Sequence, residues 1–148
     1  NSEVRLKDAY YITCNKIIKD EKGAIKELHC SYDPETKGGW SNDGRKVKGT
    51  IHWVSIKYSI NASINIYNRL FNKENPLSYD NFLDCINPNS LQIYDDCKLE
   101  PSLAGATLKD KFQFIRHGYF VLDKNSRKSN LIFNQSVGLR DNWAKKNL

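Results

Sequence analysis

Val4-Arg5-Leu6-Lys7-Asp8-Ala9-Tyr10-Tyr11-Ile12-Thr13-Cys14-Asn15 sets Val4, Leu6, Tyr10, Ile12 and Cys14 against Arg5, Lys7, Tyr11, Thr13 and Asn15. Side chains in a strand point alternately to opposite faces, so this period of two predicts a β-strand with one buried and one wet face. Asp20-Glu21-Lys22-Gly23 follows as a hairpin turn in which Gly23 can take a positive φ. The return strand, Ala24 to Tyr32, puts Leu28, Cys30 and Tyr32 on one face. A turn there pairs residues whose numbers sum to about 43 or 44, which sets Cys14 opposite Cys30 on the inner face.

Working outward, a polar segment with Pro34, Gly38, Gly39 and Gly44 leads to a further strand, Val47 to Ile56, and Ser63 to Leu70 repeats the alternation. The first half therefore reads as an antiparallel meander, and closure into a barrel would protect edges that a small open sheet leaves bare. Residues 72–89 break the rhythm with Pro76, Pro88 and the short apolar island Phe82-Leu83. A boundary is expected there, with 1–71 a first β-barrel and 72–148 the second unit. Beyond it come Leu91 to Tyr94, a short helix around Ser102 to Ala106, a strand run from Phe112 to Asp123, and a strand from Leu131 to Val137. The fold class expected is all-β.

Composition bounds the function. The chain has 148 residues, 39% of them hydrophobic and 11% aromatic, enough for one core or two small ones and too much for disorder. With a mean hydropathy of -0.66 and no run of about 18 apolar residues, no helix can cross a bilayer, so a soluble domain without a membrane partner is expected. The first residues, Asn1-Ser2-Glu3-Val4-Arg5, lack both Met and a signal-peptide layout, so a piece of a longer protein is expected.

The formal net charge of +6 is unevenly spread. Residues 61–100 hold three basic side chains against six acidic ones, whereas residues 101–148 hold nine against three. A segregated positive field suits a polyanion. Cys14, Cys30, Cys85 and Cys97 form no Cys-x-x-Cys pair and have no His at ligand spacing, so reduced thiols are expected and no metal site. His29, His52 and His117 are scattered, without a nucleophile beside them, and no Gly-rich loop enters a helix. No catalytic residue is expected in this chain. The sequons Asn61-Ala62-Ser63 and Asn134-Gln135-Ser136 carry no weight without a secretory signal.

Phe112-Gln113-Phe114-Ile115-Arg116-His117-Gly118-Tyr119-Phe120 interleaves aromatics with an amide and a guanidinium, the groups that stack on and hydrogen-bond unpaired RNA bases. The three phenylalanines are read as core. Gln113 and Arg116 differ in parity, so they can serve one site only through a bulge or bend, which Gly118 permits.

Asp43 to Ser55, Tyr67-Asn68-Arg69-Leu70-Phe71, Ile86-Asn87-Pro88, Glu100 to Leu103, Phe112-Gln113-Phe114, Gly118-Tyr119-Phe120 and Val137 to Asp141 together resemble the C-terminal anticodon-binding region of glutaminyl-tRNA synthetase. The resemblance runs in order along nearly the whole chain. It implies two β-barrels that grip the anticodon loop of tRNA(Gln), the second incomplete in this chain. It also implies a separate Rossmann-type catalytic domain of the same polypeptide that uses ATP and Mg2+ to attach glutamine, and a cytoplasmic enzyme. An incomplete second barrel would leave an unpaired strand edge through which copies could associate.

Carried over residue by residue, the anticodon contacts fall at Arg5, Lys7, Gln113 and Arg116. Lys7 stands where relatives place Arg, and a point charge suits a phosphate better than a base edge. Lys46, Lys48, Lys124, Arg127 and Lys128 are the expected phosphate contacts. The rival readings are the same module in a glutamyl-tRNA synthetase, a stand-alone RNA-binding β-barrel, and a β-domain that mediates protein contacts.

Overall fold

The computed structural model describes residues 2–139. The chain divides into two compact units, Asn1–Trp53 and Val54–Leu148, each built around one sheet. Among the described residues all nine strands lie in these sheets, and the only helical elements are 3-10 turns of three to five residues. The all-β class is therefore observed.

In the first unit, β1 (Glu3–Leu6), β2 (Tyr11–Lys19), β3 (Ile25–Asp33) and β4 (Thr50–Ile51) form a sheet in the order β3-β2-β1-β4. The single strand expected from Val4 to Asn15 is two. Asp8 takes φ 58, Leu6 N–H bonds the Tyr10 carbonyl at 2.9 Å, and β1 folds back on β2 with Val4 opposite Ile12. Asp tolerates the left-handed region better than most residues, which makes this turn possible without glycine. Partners here sum to 16, an even number, so folding back keeps odd and even residues on their original faces and the alternation continues through the turn.

The hairpin after β2 forms as expected. Asp20 Oδ1 accepts from the Lys22 and Ala24 amides at 2.9 Å, and Gly23 takes φ 81. Cys14 pairs with Cys30, after which a bulge shifts the register by one, so that Lys16 faces His29. The burial of the faces departs from expectation. Tyr11, assigned to the wet face, is 3% exposed, while Leu28, Cys30 and Tyr32 are exposed. The cause is the segment after β3, which folds over Tyr11. Its 3-10 turn, Pro34–Thr36, brings the buried Thr36 hydroxyl to the Tyr11 amide at 2.8 Å, and that hydroxyl donates to the Asp33 carbonyl at 2.7 Å.

Arg45 ties the same segment down. Its guanidinium lies 5.3 Å from the Tyr11 ring centroid, bonds both Glu3 oxygens at 2.8 and 3.1 Å and Asp43 at 2.7 Å, and pairs with Asp33. Bonding to Glu3, Asp33 and Asp43 raises its affinity for its proton, while the guanidinium holds the Asp33 carboxyl below its ordinary range and the Arg45 backbone amide, followed by the guanidinium, does the same to Asp43. Of the strand expected from Val47 to Ile56, only Thr50–Ile51 pairs, and it runs parallel to β1.

The second unit holds β5 (Ile60–Tyr67), β6 (Leu91–Leu99), β7 (Lys111–Phe114), β8 (Gly118–Leu122) and β9 (Leu131–Val137), in the order β6-β5-β9-β8-β7. β5 pairs with β6 and, in parallel, with β9. The strand read as the end of the first meander thus belongs to the second sheet, and the units part at Trp53/Val54 rather than at 71/72. Each sheet carries one parallel pairing, so both are mixed instead of antiparallel. No pairing among the described residues closes either into a barrel, and β6 and β7 are the edges of the second.

Ala62, Ile64, Phe120, Leu131 and Phe133 form the core of the second sheet, with Phe112, Phe114, Leu99 and Leu103 packed against it. The inward parity of β7 and β8 brings Phe114 and Phe120 into a stack at 4.3 Å, and Phe112 meets Phe133 edge-on at 5.8 Å. The three phenylalanines read as core are core. Asn134 is committed as well, accepting from Asn65 at 2.9 Å and donating to Asp123 at 2.6 Å.

Candidate functional site

The strand run expected from Phe112 to Asp123 is a hairpin. Phe114 pairs with Gly118 across Ile115-Arg116-His117, and the His117 amide bonds the Phe114 carbonyl at 2.9 Å. Arg116 sits at φ 68, and Gly118 at φ 138. A Cβ on Gly118 would come within 2.5 Å of the Val137 carbonyl oxygen, so β8 can approach β9 there only with glycine. The bend demanded by the parity of Gln113 and Arg116 is this turn.

Because Phe112 and Phe114 face the core, Gln113 points to the opposite side, where it is exposed. Its cross-strand partner is Tyr119, which is also exposed. The outer face of the hairpin therefore offers an amide beside an aromatic ring, with Arg116 at the adjacent tip. An amide can donate and accept at once, a pattern that matches the N3–H and O4 of uridine. Tyr119 belongs to the aromatic run read in the sequence, and the hairpin register is what puts it beside Gln113. Lys124, Arg127 and Lys128 are exposed on the β8–β9 connection, where Arg127 bridges Asn130.

In the first unit, Arg5 is braced. Its Nε donates to Thr50 Oγ1 at 2.9 Å and its Nη1 to the Gly39 carbonyl at 3.2 Å, and its Cζ lies 5.1 Å from the Trp40 ring centroid. Lys7 pairs with its neighbour Asp8, which offsets part of its charge, and its carbonyl accepts the Trp53 indole N–H at 3.0 Å. Lys46 and Lys48 are exposed on the segment leading to β4. Their neighbour Arg45 is absorbed by its three carboxylates. Among the described residues no group of three or more His, Cys, Asp or Glu could hold a metal ion, and no helix is long and apolar enough to cross a membrane.

A family model described as the anticodon-binding domain of class I tRNA synthetases (E and Q) matches residues 50–123, and a second of the same description matches residues 1–33. Glutamine–tRNA ligase of Proteus mirabilis is 50% identical over 143 residues, covering 97% of this chain and 26% of that protein. The corresponding ligase of Yersinia enterocolitica is 50% identical over 145 residues, again 97% and 26%, and that of Nitrobacter winogradskyi is 47% identical over 143 residues, 97% and 25%. The chain spans about a quarter of the length of these curated relatives.

Proposed function

The chain belongs to the anticodon-binding domains of the class I glutamyl- and glutaminyl-tRNA synthetases, and on that premise we propose that it grips the anticodon loop of tRNA(Gln) for a glutamine–tRNA ligase. The observation that carries the reading is the outer face of the β7–β8 hairpin, with Gln113 beside Tyr119 and Arg116 at the tip. Gln113 reads the central uridine of the anticodon through its amide, and Arg116 adds bonds to the sugar, phosphate or a second base edge. A wrong central base would leave polar groups unpaired, at a cost of roughly 1–3 kcal/mol. Arg5 acts from a fixed position, because its bonds to Thr50 and Gly39 limit its rotamers before RNA arrives. Lys7, Lys46, Lys48, Lys124, Arg127 and Lys128 supply sequence-independent attraction to phosphates.

Attachment of glutamine, with ATP and Mg2+, belongs to the Rossmann-type part of the longer polypeptide. The described residues here do not fit that pair, having neither a metal-holding cluster nor a phosphate-cradling loop before a helix. A cytoplasmic enzyme follows from the same reading, as does association of copies through β6 or β7.

Titrating the chain with tRNA(Gln), tRNA(Glu) and an unrelated tRNA at low and moderate salt tests the assignment. Preference for tRNA(Gln) that survives the added salt supports it. Preference for tRNA(Glu) would move the chain to the glutamate branch, and equal binding that collapses with salt would reduce it to a general RNA-binding module.

A further inference from the structure

We propose that Trp40 is a nucleobase platform, an indole backed on one face by Arg5 and offering the other to an unstacked base of a bound RNA. The proposal rests on the RNA-binding reading above. It adds a contact that neither the spacing of basic residues nor the resemblance supplies.

Trp40 is 73% exposed, the highest fraction among the three exposed aromatic residues of its unit, Tyr32, Trp40 and Trp53. Its large apolar ring is stranded in water unless something covers it. The ring is also held. Gly39 takes φ 83 and is buried, and a Cβ there would sit 3.0 Å from Arg5 Cδ, so glycine is what lets the Arg5 stem pass beneath the chain just before Trp40. Arg5 then bonds the Gly39 carbonyl and Thr50 and places its guanidinium 5.1 Å from the indole centroid. One face of the ring thus has a cation against it. The exposed area that remains is open to a planar partner.

The surroundings choose the partner's class. The segment that carries Trp40 also carries Lys37, Lys46 and Lys48, all exposed, while its Arg45 is consumed by carboxylates. Flexible cations around a flat π-surface fit a ligand made of anionic linkages and flat rings, which describes a single-stranded nucleic acid. A ring stacked between an arginine and a base gains on both sides. Stacking is tolerant of base identity, so Trp40 is assigned to hold a base of the loop rather than to read it.

The test compares the parent chain with Trp40→Leu and Trp40→Phe, using fluorescence anisotropy with two labelled RNAs: a hairpin carrying the CUG anticodon loop, and the blunt duplex of its stem. Trp40→Leu should weaken hairpin binding by roughly tenfold, the scale of one lost base stack, while Trp40→Phe retains most of it. The slope of affinity against salt should not change, since no charge is removed, and duplex binding should be the same for all three proteins. Melting curves for each variant separate loss of stacking from loss of fold. Parent binding without any loss in Trp40→Leu, or an equal loss on the duplex, would overturn the stacking role and leave the RNA-binding reading intact. If the parent binds neither RNA, both fall together.

Discussion

Cys14 stands directly opposite Cys30 across the β2–β3 ladder, and both thiols are free. Antiparallel partners have Cα atoms about 4.5–5.5 Å apart, inside the range that a disulfide spans. Slight desolvation beside the ladder pushes the exposed Cys30 thiol up from its ordinary value, and the Cys14 thiol opposite pushes the same way.

Exposure to a low-molecular-weight disulfide should join Cys14 to Cys30, the reagent taking up the two electrons and two protons as a pair of thiols. Peptide mapping would show the linked peptides, with Cys85, which is buried, left unmodified. Because the Cys30 thiolate is scarce at neutral pH, the rate should climb steeply as the solution becomes alkaline. A preferred bridge to Cys97 would mean that the β2–β3 register is wrong.

Thr36 offers a test of the cover over Tyr11. Its fully buried hydroxyl serves the Tyr11 amide and the Asp33 carbonyl, so Thr36→Val would leave that amide unpaired. The expected loss is about 1–3 kcal/mol in urea unfolding. Thr36→Ser, which keeps the hydroxyl, should lose less.

Gly118→Ala should be among the more damaging small changes in the second unit. The added Cβ would meet the Val137 oxygen at 2.5 Å, and φ 138 is strained for any residue with a side chain. A lowered melting temperature is expected, whereas alanine at Gly105, where a Cβ meets nothing within 4 Å, should be nearly silent.

Acid should loosen the clamp around Arg45. The Asp33 and Asp43 carboxyls are lowered by bonding to Arg45 and to nearby backbone amides. A carboxyl depressed in the folded state adds stability above its unfolded value of about 3.9, and that stability is lost as pH falls through the folded value. Melting temperature should therefore be insensitive to these groups at pH 5 and above and should fall below about pH 4. Arg45→Met should flatten that acid limb, and an unchanged limb would remove the clamp from the account.

Much of the fold was legible where side-chain period and turn chemistry agreed. Asp20–Gly23 specified its hairpin and the pairing of Cys14 with Cys30, though not the bulge that shifts the pairs of Lys16, Ile17 and Ile18 by one, and the strand read over Leu131–Val137 is β9. Two turns stayed hidden for a physical reason. Folding back at Asp8, with partner numbers that sum to an even value, leaves the alternation intact, and the Ile115–His117 turn sits inside a run of aromatics that reads as one strand. Parallel pairing was hidden too, because partners such as Arg5 and Thr50, or Ala62 and Leu131, are far apart in sequence and share no local signal. Of the candidate site residues, Gln113 and Arg116 stood out by chemistry, whereas Arg5 came only from the resemblance to the synthetase family. The pairing of Tyr119 with Gln113 needed the cross-strand register, and the placing of Trp40 needed the path of Arg5 beside Gly39.

The most direct measurement of the central claim is the affinity of the parent chain and of Gln113→Ala for tRNA(Gln) and for the same tRNA with its central anticodon base replaced, at one salt concentration. The account predicts that the parent favours the uridine by about tenfold or more and that Gln113→Ala binds both tRNAs nearly alike, with its melting temperature unchanged because Gln113 faces outward. A folded Gln113→Ala that keeps the parent's full preference would contradict it.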